Sequence, residues 1–259
     1  MAELNDPELA TLAVRLLDLT SLNDTDDEAT IDALCTRALT PVGAVAAVCV
    51  YPRFIGFARR RLDALGAEAV RVASVANFPQ GGVDVRRALE ETRAAVADGA
   101  DEVDLVYPYA ALLAGDAQPG RDLVAACREA CGDRALLKVI LETGALARPE
   151  LIRQASRDAI AAGAQFIKTS TGKVPVNATP EAASLMLGVI AEHGGAVGFK
   201  AAGGLRTLAD ARCYIELARA TLGAQWVTPG HLRLGASGLL AELLKTLGEA
   251  GEAGTGAGY

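Results

Sequence analysis

The chain has 259 residues, 51% hydrophobic and 22% charged, enough apolar material for the core of one α/β barrel. A net charge of −7, from 32 acidic against 25 basic residues with no Lys/Arg block, argues against a nucleic-acid-binding surface. Residues 1–7 carry no basic stretch leading into an apolar segment, and no apolar run reaches the ~18 residues of a membrane span, so neither a secretory signal nor a membrane role is expected.

In chain order, periodic stretches at 7–17 and 26–39 predict two helices ahead of the first strand, placed to plug the lower end of a barrel. Short apolar or β-branched runs predict strands at 45–51, 70–76, 102–106, 136–141, 165–169, 197–201, 224–227 and 232–235. Amphipathic helices are predicted between them at 53–65, 83–98, 110–130, 149–162, 180–193 and 207–222. One polar or reactive residue near the end of each of the first seven strands (Cys49, Asn77, Asp104, Lys138, Lys168, Lys200, Trp226) recurs every 26 to 34 residues, one βα unit apiece. The fold class expected is therefore α/β, a single (β/α)8 TIM barrel over residues 1–247 with extra N-terminal helices. The last two strands lie too close for a helix between them, so the seventh connection is expected to be a loop. An open doubly wound sheet is the alternative, although no G-x-G-x-x-G follows any predicted strand. The Gly-rich stretch 248–259 reads as a flexible tail; fully extended it spans roughly 40 Å, enough to bring Tyr259 over a barrel mouth.

Four charges stand inside apolar strands: Asp104, Lys138, Lys168 and Lys200. Barrel strands are covered on both faces, and Lys and Asp are seldom fully buried unless paired. A lone case reads best as a structural salt bridge; four, near strand ends on the catalytic face of a barrel, read as a site. Two ammonium groups ~5 Å apart at an effective dielectric of ~20 repel by roughly 3 kcal/mol, which lowers a lysine pKa by about two units from ~10.4. A neutral amine of that kind is what attack on a carbonyl requires. Five scattered cysteines (Cys35, Cys49, Cys127, Cys131, Cys213) fit free thiols in a reducing, cytoplasmic setting. Two isolated histidines, His193 and His231, argue against a zinc cluster, and neither metal nor cofactor is expected.

Three glycine-rich turns follow predicted strands: Ser170-Thr171-Gly172-Lys173, Gly203-Gly204-Leu205-Arg206 and Gly235-Ala236-Ser237-Gly238. Glycine lets backbone N–H groups approach a phosphate, although barrels use such glycines as ordinary strand–helix turns too. Thr171-Gly172-Lys173-Val174 is no P-loop, because Val174 replaces the required Ser/Thr.

Several segments together resemble the class I 2-deoxy-D-ribose-5-phosphate aldolases. They are Asp18-Leu19-Thr20-Ser21-Leu22-Asn23-Asp24, Val48-Cys49-Val50-Tyr51-Pro52-Arg53-Phe54, Asn77-Phe78-Pro79 and Gly99-Ala100-Asp101-Glu102-Val103-Asp104. The likeness continues through Leu137-Lys138-Val139-Ile140-Leu141-Glu142-Thr143-Gly144, Phe166-Ile167-Lys168-Thr169, Ser170-Thr171-Gly172-Lys173, Val176-Asn177-Ala178-Thr179-Pro180 and Gly198-Phe199-Lys200 to Tyr259. The resemblance implies Lys168 as the imine-forming nucleophile, Lys200 as the neighbouring ammonium and Asp104 as a proton relay working through water, with Lys138 in its network. It implies Tyr259 as an aid to proton transfer. Asp18, Thr20, Cys49 and Thr169 would line the substrate pocket, and Gly172, Lys173, Gly203, Gly204, Gly235 and Ser237 would grip the phosphate. Ala201 follows Lys200 in place of the family's proline, and Gly238 replaces a second serine after Ser237. The implied activity is reversible cleavage of 2-deoxy-D-ribose 5-phosphate to acetaldehyde and D-glyceraldehyde 3-phosphate. The partners implied are small phosphorylated-sugar and aldehyde substrates, with a homodimer as the assembly considered. The rival readings are another Schiff-base or transaldolase-like aldolase, and a silent sugar-phosphate-binding barrel.

Overall fold

Helix starts follow from side chains that satisfy the free N–H groups of a first turn. Asn5 and Glu8 form a reciprocal capping box on α1 (Asp6–Arg15), and Asp27 caps α2 (Glu28–Arg37). The outer layer continues through α3 (Ile55–Ala64), α4 (Val85–Ala97), α5 (Tyr109–Leu113), α6 (Gln118–Cys131), α7 (Thr143–Leu146) and α8 (Pro149–Ala161). It closes with α9 (Pro180–Glu192), capped by Thr179, α10 (Leu208–Leu222), boxed by Thr207 and Asp210, and α11 (Leu239–Thr246). Gly99 and Gly163, both at φ 99°, make the left-handed turn that carries α4 and α8 back into the sheet.

The computed structural model describes residues 4–248. Its strands are β1 (Leu17–Thr20), β2 (Ala47–Val50), β3 (Arg71–Ala76), β4 (Glu102–Val106), β5 (Leu136–Ile140), β6 (Phe166–Lys168), β7 (Gly198–Ala202) and β8 (Leu232–Ala236). Each pairs in parallel with the next and β1 pairs with β8, so the ring is closed and the open-sheet alternative falls. The architecture is a (β/α)8 TIM barrel. A two-stranded hairpin, Leu39–Thr40 with Gly43–Ala44, lies outside the ring. Among the described residues no helix is long and apolar enough to cross a membrane.

Eight strands were expected, but one of the eight was misplaced. Residues 224–227 form a 3-10 turn, Ala224–Trp226, and Trp226 is not a strand-end residue. The connection from β7 to β8 therefore contains the full helix α10 and is no bare loop. The missing strand is β1, in a segment assigned partly to the first helix; α1 stops at Arg15 and Leu17 is already strand. Consequently α2 belongs to the outer ring between β1 and β2, packed on α3, rather than plugging the barrel floor. The expected helix at 110–130 breaks at Gly115 (φ 91°) into α5 and α6.

Two hydrophobic clusters fill the molecule. The larger joins the outward faces of the strands to the helices, as in Leu19, Val48, Val103, Val139 and Ile167. The smaller, Leu22, Ala47, Cys49, Ala73 and Val75, fills one side of the interior along β2 and β3. The opposite side of the interior is charged.

Candidate active site

Strand side chains alternate faces, so residues two apart point the same way. This rule sends Glu102 and Asp104 of β4 inward together, with Lys138 of β5, Lys168 of β6, Lys200 of β7, Arg233 of β8 and Asp18 of β1. Register then sets them side by side, since Asp104 and Lys138 are Cα partners across one ladder and Lys168 and Lys200 across another. Asp104 is the hub. Its Oδ1 accepts from Lys138 Nζ at 2.8 Å, and its Oδ2 accepts from Lys168 Nζ at 2.9 Å and Lys200 Nζ at 2.8 Å. Lys200 also meets Asp18 Oδ2 at 2.6 Å, and Lys138 meets Glu102 Oε2 at 2.6 Å. Arg233 closes the group, with Nη1 2.7 Å from Asp18 Oδ1 and Nη2 2.7 Å from Glu102 Oε1. The structure thus brings Lys168, Lys200, Asp104, Lys138 and Asp18 into one buried cluster.

The cluster separates the three amines chemically. Burial holds Lys168 below the ordinary lysine range; the Asp104 carboxylate opposes this, and the Lys200 ammonium reinforces it. Burial is thus the larger cause, ahead of the like charge expected from sequence. Lys200 is buried as well, but Asp104 and Asp18 outweigh that cost and hold it well above the usual value. Lys138 is raised because Asp104 and Glu102 overcome its burial. Asp104 is driven well below the carboxylate range, since Lys138, Lys168 and Lys200 outweigh desolvation. An amine whose pKa is lowered, set beside two ammonium groups held charged and a carboxylate that binds all three, is an arrangement from which an imine can form.

Asp18 is ion-paired with Lys200 and Arg233, and Thr20 donates its hydroxyl to the Asp18 carbonyl at 2.9 Å. Cys49, the register partner of Thr20, is buried, and desolvation raises its thiol pKa. The Thr169 hydroxyl ties β6 to β7, donating to Ala202 O at 3.2 Å and accepting from Ala202 N at 3.0 Å. Because β6, β7 and β8 are ring neighbours, the turns bearing Gly172, Gly203 with Gly204, and Ser237 lie side by side at the C-terminal face. Gly172, Gly203 and Gly204 adopt φ of 83°, 84° and 88°, conformations that favour glycine. Gly235 instead lies within β8. Lys173 crosses the mouth, its Nζ donating to Leu22 O at 2.6 Å. Tyr259 and residues 249–258 of the tail lie outside the described residues.

Sequence reasoning missed four contributors. Glu102 and Arg233 each carry a charge within or at the edge of a predicted strand, the same signal that marks Lys200. Glu142, buried at φ 57°, accepts from both the amide N–H and the hydroxyl of Thr171, the latter at 2.5 Å, and so anchors the turn that bears Gly172 and Lys173. Neither member of that pair stands out in a linear reading.

Comparison with known proteins places the fold and the family. The crystal structure of a protein assigned as a deoxyribose-phosphate aldolase from Coccidioides immitis is 30% identical, with a TM-score of 0.77 over 93% of this chain and 87% of that one. One from Toxoplasma gondii, at 22% identity, superposes with a TM-score of 0.86 over 95% and 96%. The tetrameric deoxyribose phosphate aldolase from Aeropyrum pernix, at 23% identity, gives 0.73 over 94% and 92%. A family model described as DeoC/LacD family aldolase matches residues 12–244, a range that spans nearly the whole barrel. The chain belongs to the DeoC/LacD family of aldolases.

Proposed function

We propose that this class I aldolase reversibly cleaves 2-deoxy-D-ribose 5-phosphate to acetaldehyde and D-glyceraldehyde 3-phosphate through an imine on Lys168. One observation carries the reading: Lys168 shares a single carboxylate oxygen, Asp104 Oδ2, with Lys200, inside a barrel that buries all three.

Neutral Lys168 attacks the C1 aldehyde of the open-chain sugar, and loss of water from the carbinolamine gives an iminium. Departure of the C3 hydroxyl proton then breaks the C2–C3 bond. The electron pair moves into the imine to form an enamine and releases glyceraldehyde 3-phosphate. Protonation of the enamine at C2 and hydrolysis free acetaldehyde and the amine. In this scheme Asp104 relays protons through water, Lys200 holds the positive charge that favours a neutral Lys168, and Lys138 anchors Asp104. The protonated imine is the electron sink. Tyr259 is assigned to proton transfer at C2 by the family resemblance. Asp18, Thr20, Cys49 and Thr169 border the pocket, and the Gly172, Lys173, Gly203, Gly204, Gly235 and Ser237 quadrant takes the phosphate. The five cysteines, all free, suit a cytoplasmic setting, and a homodimer remains the assembly proposed, checked by sedimentation.

The test is reductive trapping. Borohydride with acetaldehyde is expected to fix a two-carbon adduct on the peptide carrying Lys168. An adduct on another residue, or turnover only with a ketone donor such as dihydroxyacetone phosphate, overturns the reading.

A further inference from the structure

Counted as one ion-paired network, four cationic side chains (Lys138, Lys168, Lys200 and Arg233) stand against three carboxylates (Asp18, Glu102 and Asp104), while the buried Glu142, pushed by desolvation toward its neutral acid, forms no ion pair with them. Fully ionised, the cluster carries one uncompensated positive charge inside a low-dielectric core, where such a charge is expensive. It becomes neutral when one amine loses its proton. Of the three amines, Lys138 and Lys200 each touch two carboxylates at 2.9 Å or less, whereas Lys168 touches only Asp104. The remaining groups facing Lys168 are the Lys200 ammonium, the Cys49 thiol from β2 and the Glu142 carboxyl after β5.

Glu102 and Arg233 reach no amine that forms an imine, yet they are built into this balance. The guanidinium holds Glu102 with both nitrogens, at 2.7 and 3.1 Å, and it also donates to Asp18 and to the Pro229 carbonyl. Its Cζ lies 5.7 Å from the centre of the Phe166 ring, two residues before Lys168. Through Glu102 the pair meets Lys138, and through Asp18 it meets Lys200, so each fixed ammonium leans on it. The pair also lines a cavity of about 770 Å³ at the N-terminal end of the barrel, which leaves room for altered side chains there.

We propose that Glu102 and Arg233 are positioning residues for the aldol reaction, a charge counterweight beneath the site that makes Lys168 the amine to give up its proton. This rests on Lys168 being the imine-forming residue. Removing Arg233 deletes a cation, so the remaining groups are neutral with Lys168 protonated and the amine holds its proton to higher pH. Removing Glu102 adds an uncompensated positive charge and drives the proton off at lower pH.

The experiment measures the acid limb of the kcat/KM profile for deoxyribose 5-phosphate cleavage, between about pH 5 and pH 10, in the full-length enzyme. Arg233→Met is expected to move the midpoint to alkaline pH by about one pH unit, and Glu102→Gln to acid pH by a similar amount. The double variant returns it to within about 0.3 pH unit of wild type, and Arg233→Lys, which keeps the charge, leaves it in place. A purely structural pair would lower activity without opposed, cancelling shifts, and that result overturns the proposal. If Arg233→Met does not fold, Glu102→Gln and Arg233→Lys still decide it: an unmoved midpoint in the first, or a large shift in the second, counts against the counterweight. Trapping with acetaldehyde separates the two layers of inference. An adduct away from Lys168 in wild type removes the underlying reading, whereas a Lys168 adduct in every variant with an invariant midpoint removes only this one.

Discussion

A β-carbon added at Gly235 would lie 2.9 Å from Ala202 Cβ and 3.0 Å from Lys200 Cε, so this glycine makes the space in which the Lys200 chain crosses the interior. Its position inside β8 separates it from Gly172, Gly203 and Gly204, whose backbone angles are those of turns. Gly235→Ala is therefore expected to cost about 1–3 kcal/mol of stability by overpacking and to lower kcat by displacing Lys200. Urea denaturation and steady-state kinetics check both. A rise in KM for the phosphorylated substrate with kcat and stability intact would mean that the glycine serves the phosphate alone. The same scale shows what a linear reading can and cannot find. Lys138, Lys168, Lys200 and Asp104 announced themselves as charges in apolar runs. Their partners did not, because Arg233 meets Glu102 across 131 residues and Asp18 across 215, and no local pattern encodes such pairs.

Elements with strong local signals were legible, and those whose identity depends on tertiary context were not. The βα spacing and the apolar runs of β2 to β7 each carry their own signature. Strand β1 has only four residues and follows α1 after the single residue Leu16, so the helix predicted at 7–17 overlaps its first residue and too little apolar run is left to mark a strand. Residues 224–227 looked like a strand, but Gly223 at φ 92° turns them out of α10 into a 3-10 turn instead. The loop after β6 is another element fixed from outside, through the Thr171–Glu142 contact. Thr171→Val deletes the hydroxyl donor to a buried carboxylate, a loss of about 1–3 kcal/mol. We expect KM for the phosphorylated substrate to rise by about fivefold to tenfold with a smaller change in kcat, because the turn carrying Gly172 and Lys173 loses its anchor. Equal activity on phosphorylated and unphosphorylated sugars in wild type would contradict this role for the loop.

At the scale of the molecule, the barrel is apolar on its outer faces and divided inside, with small apolar side chains along β2 and β3 facing a lattice of charges. Buried charge lattices are a weak source of stability, since desolvation offsets much of the Coulomb gain, but removing one partner of a matched pair is costly. The interior therefore predicts opposite outcomes for two substitutions in direct contact. Asp104→Asn strips three amines of their shared anion and is expected to destabilise by about 3–5 kcal/mol. Lys168→Met abolishes aldol activity, yet it leaves three cations against three carboxylates, and the variant should equal or exceed wild type in stability. The pH dependence has a definite sign. Lys168 has its folded pKa lowered from 10.5, so the unfolded chain binds more protons between the folded value and 10.5, and the native state is penalised more as pH falls. The advantage of Lys168→Met is thus fully present below the folded value of Lys168 and fades as pH rises toward 10.5. Lys138 and Lys200 behave in the reverse way: their pKa values are raised in the fold, so their contribution is complete below 10.5 and is lost only above it. Urea midpoints for wild type and Lys168→Met at about pH 6, 8 and 10 separate these effects, because only the Lys168 difference should shrink across that series. A Lys168→Met protein less stable than wild type at the lowest pH would show that the lysine is held as a stabilising cation, and the electrostatic basis for its reactivity would fall with it.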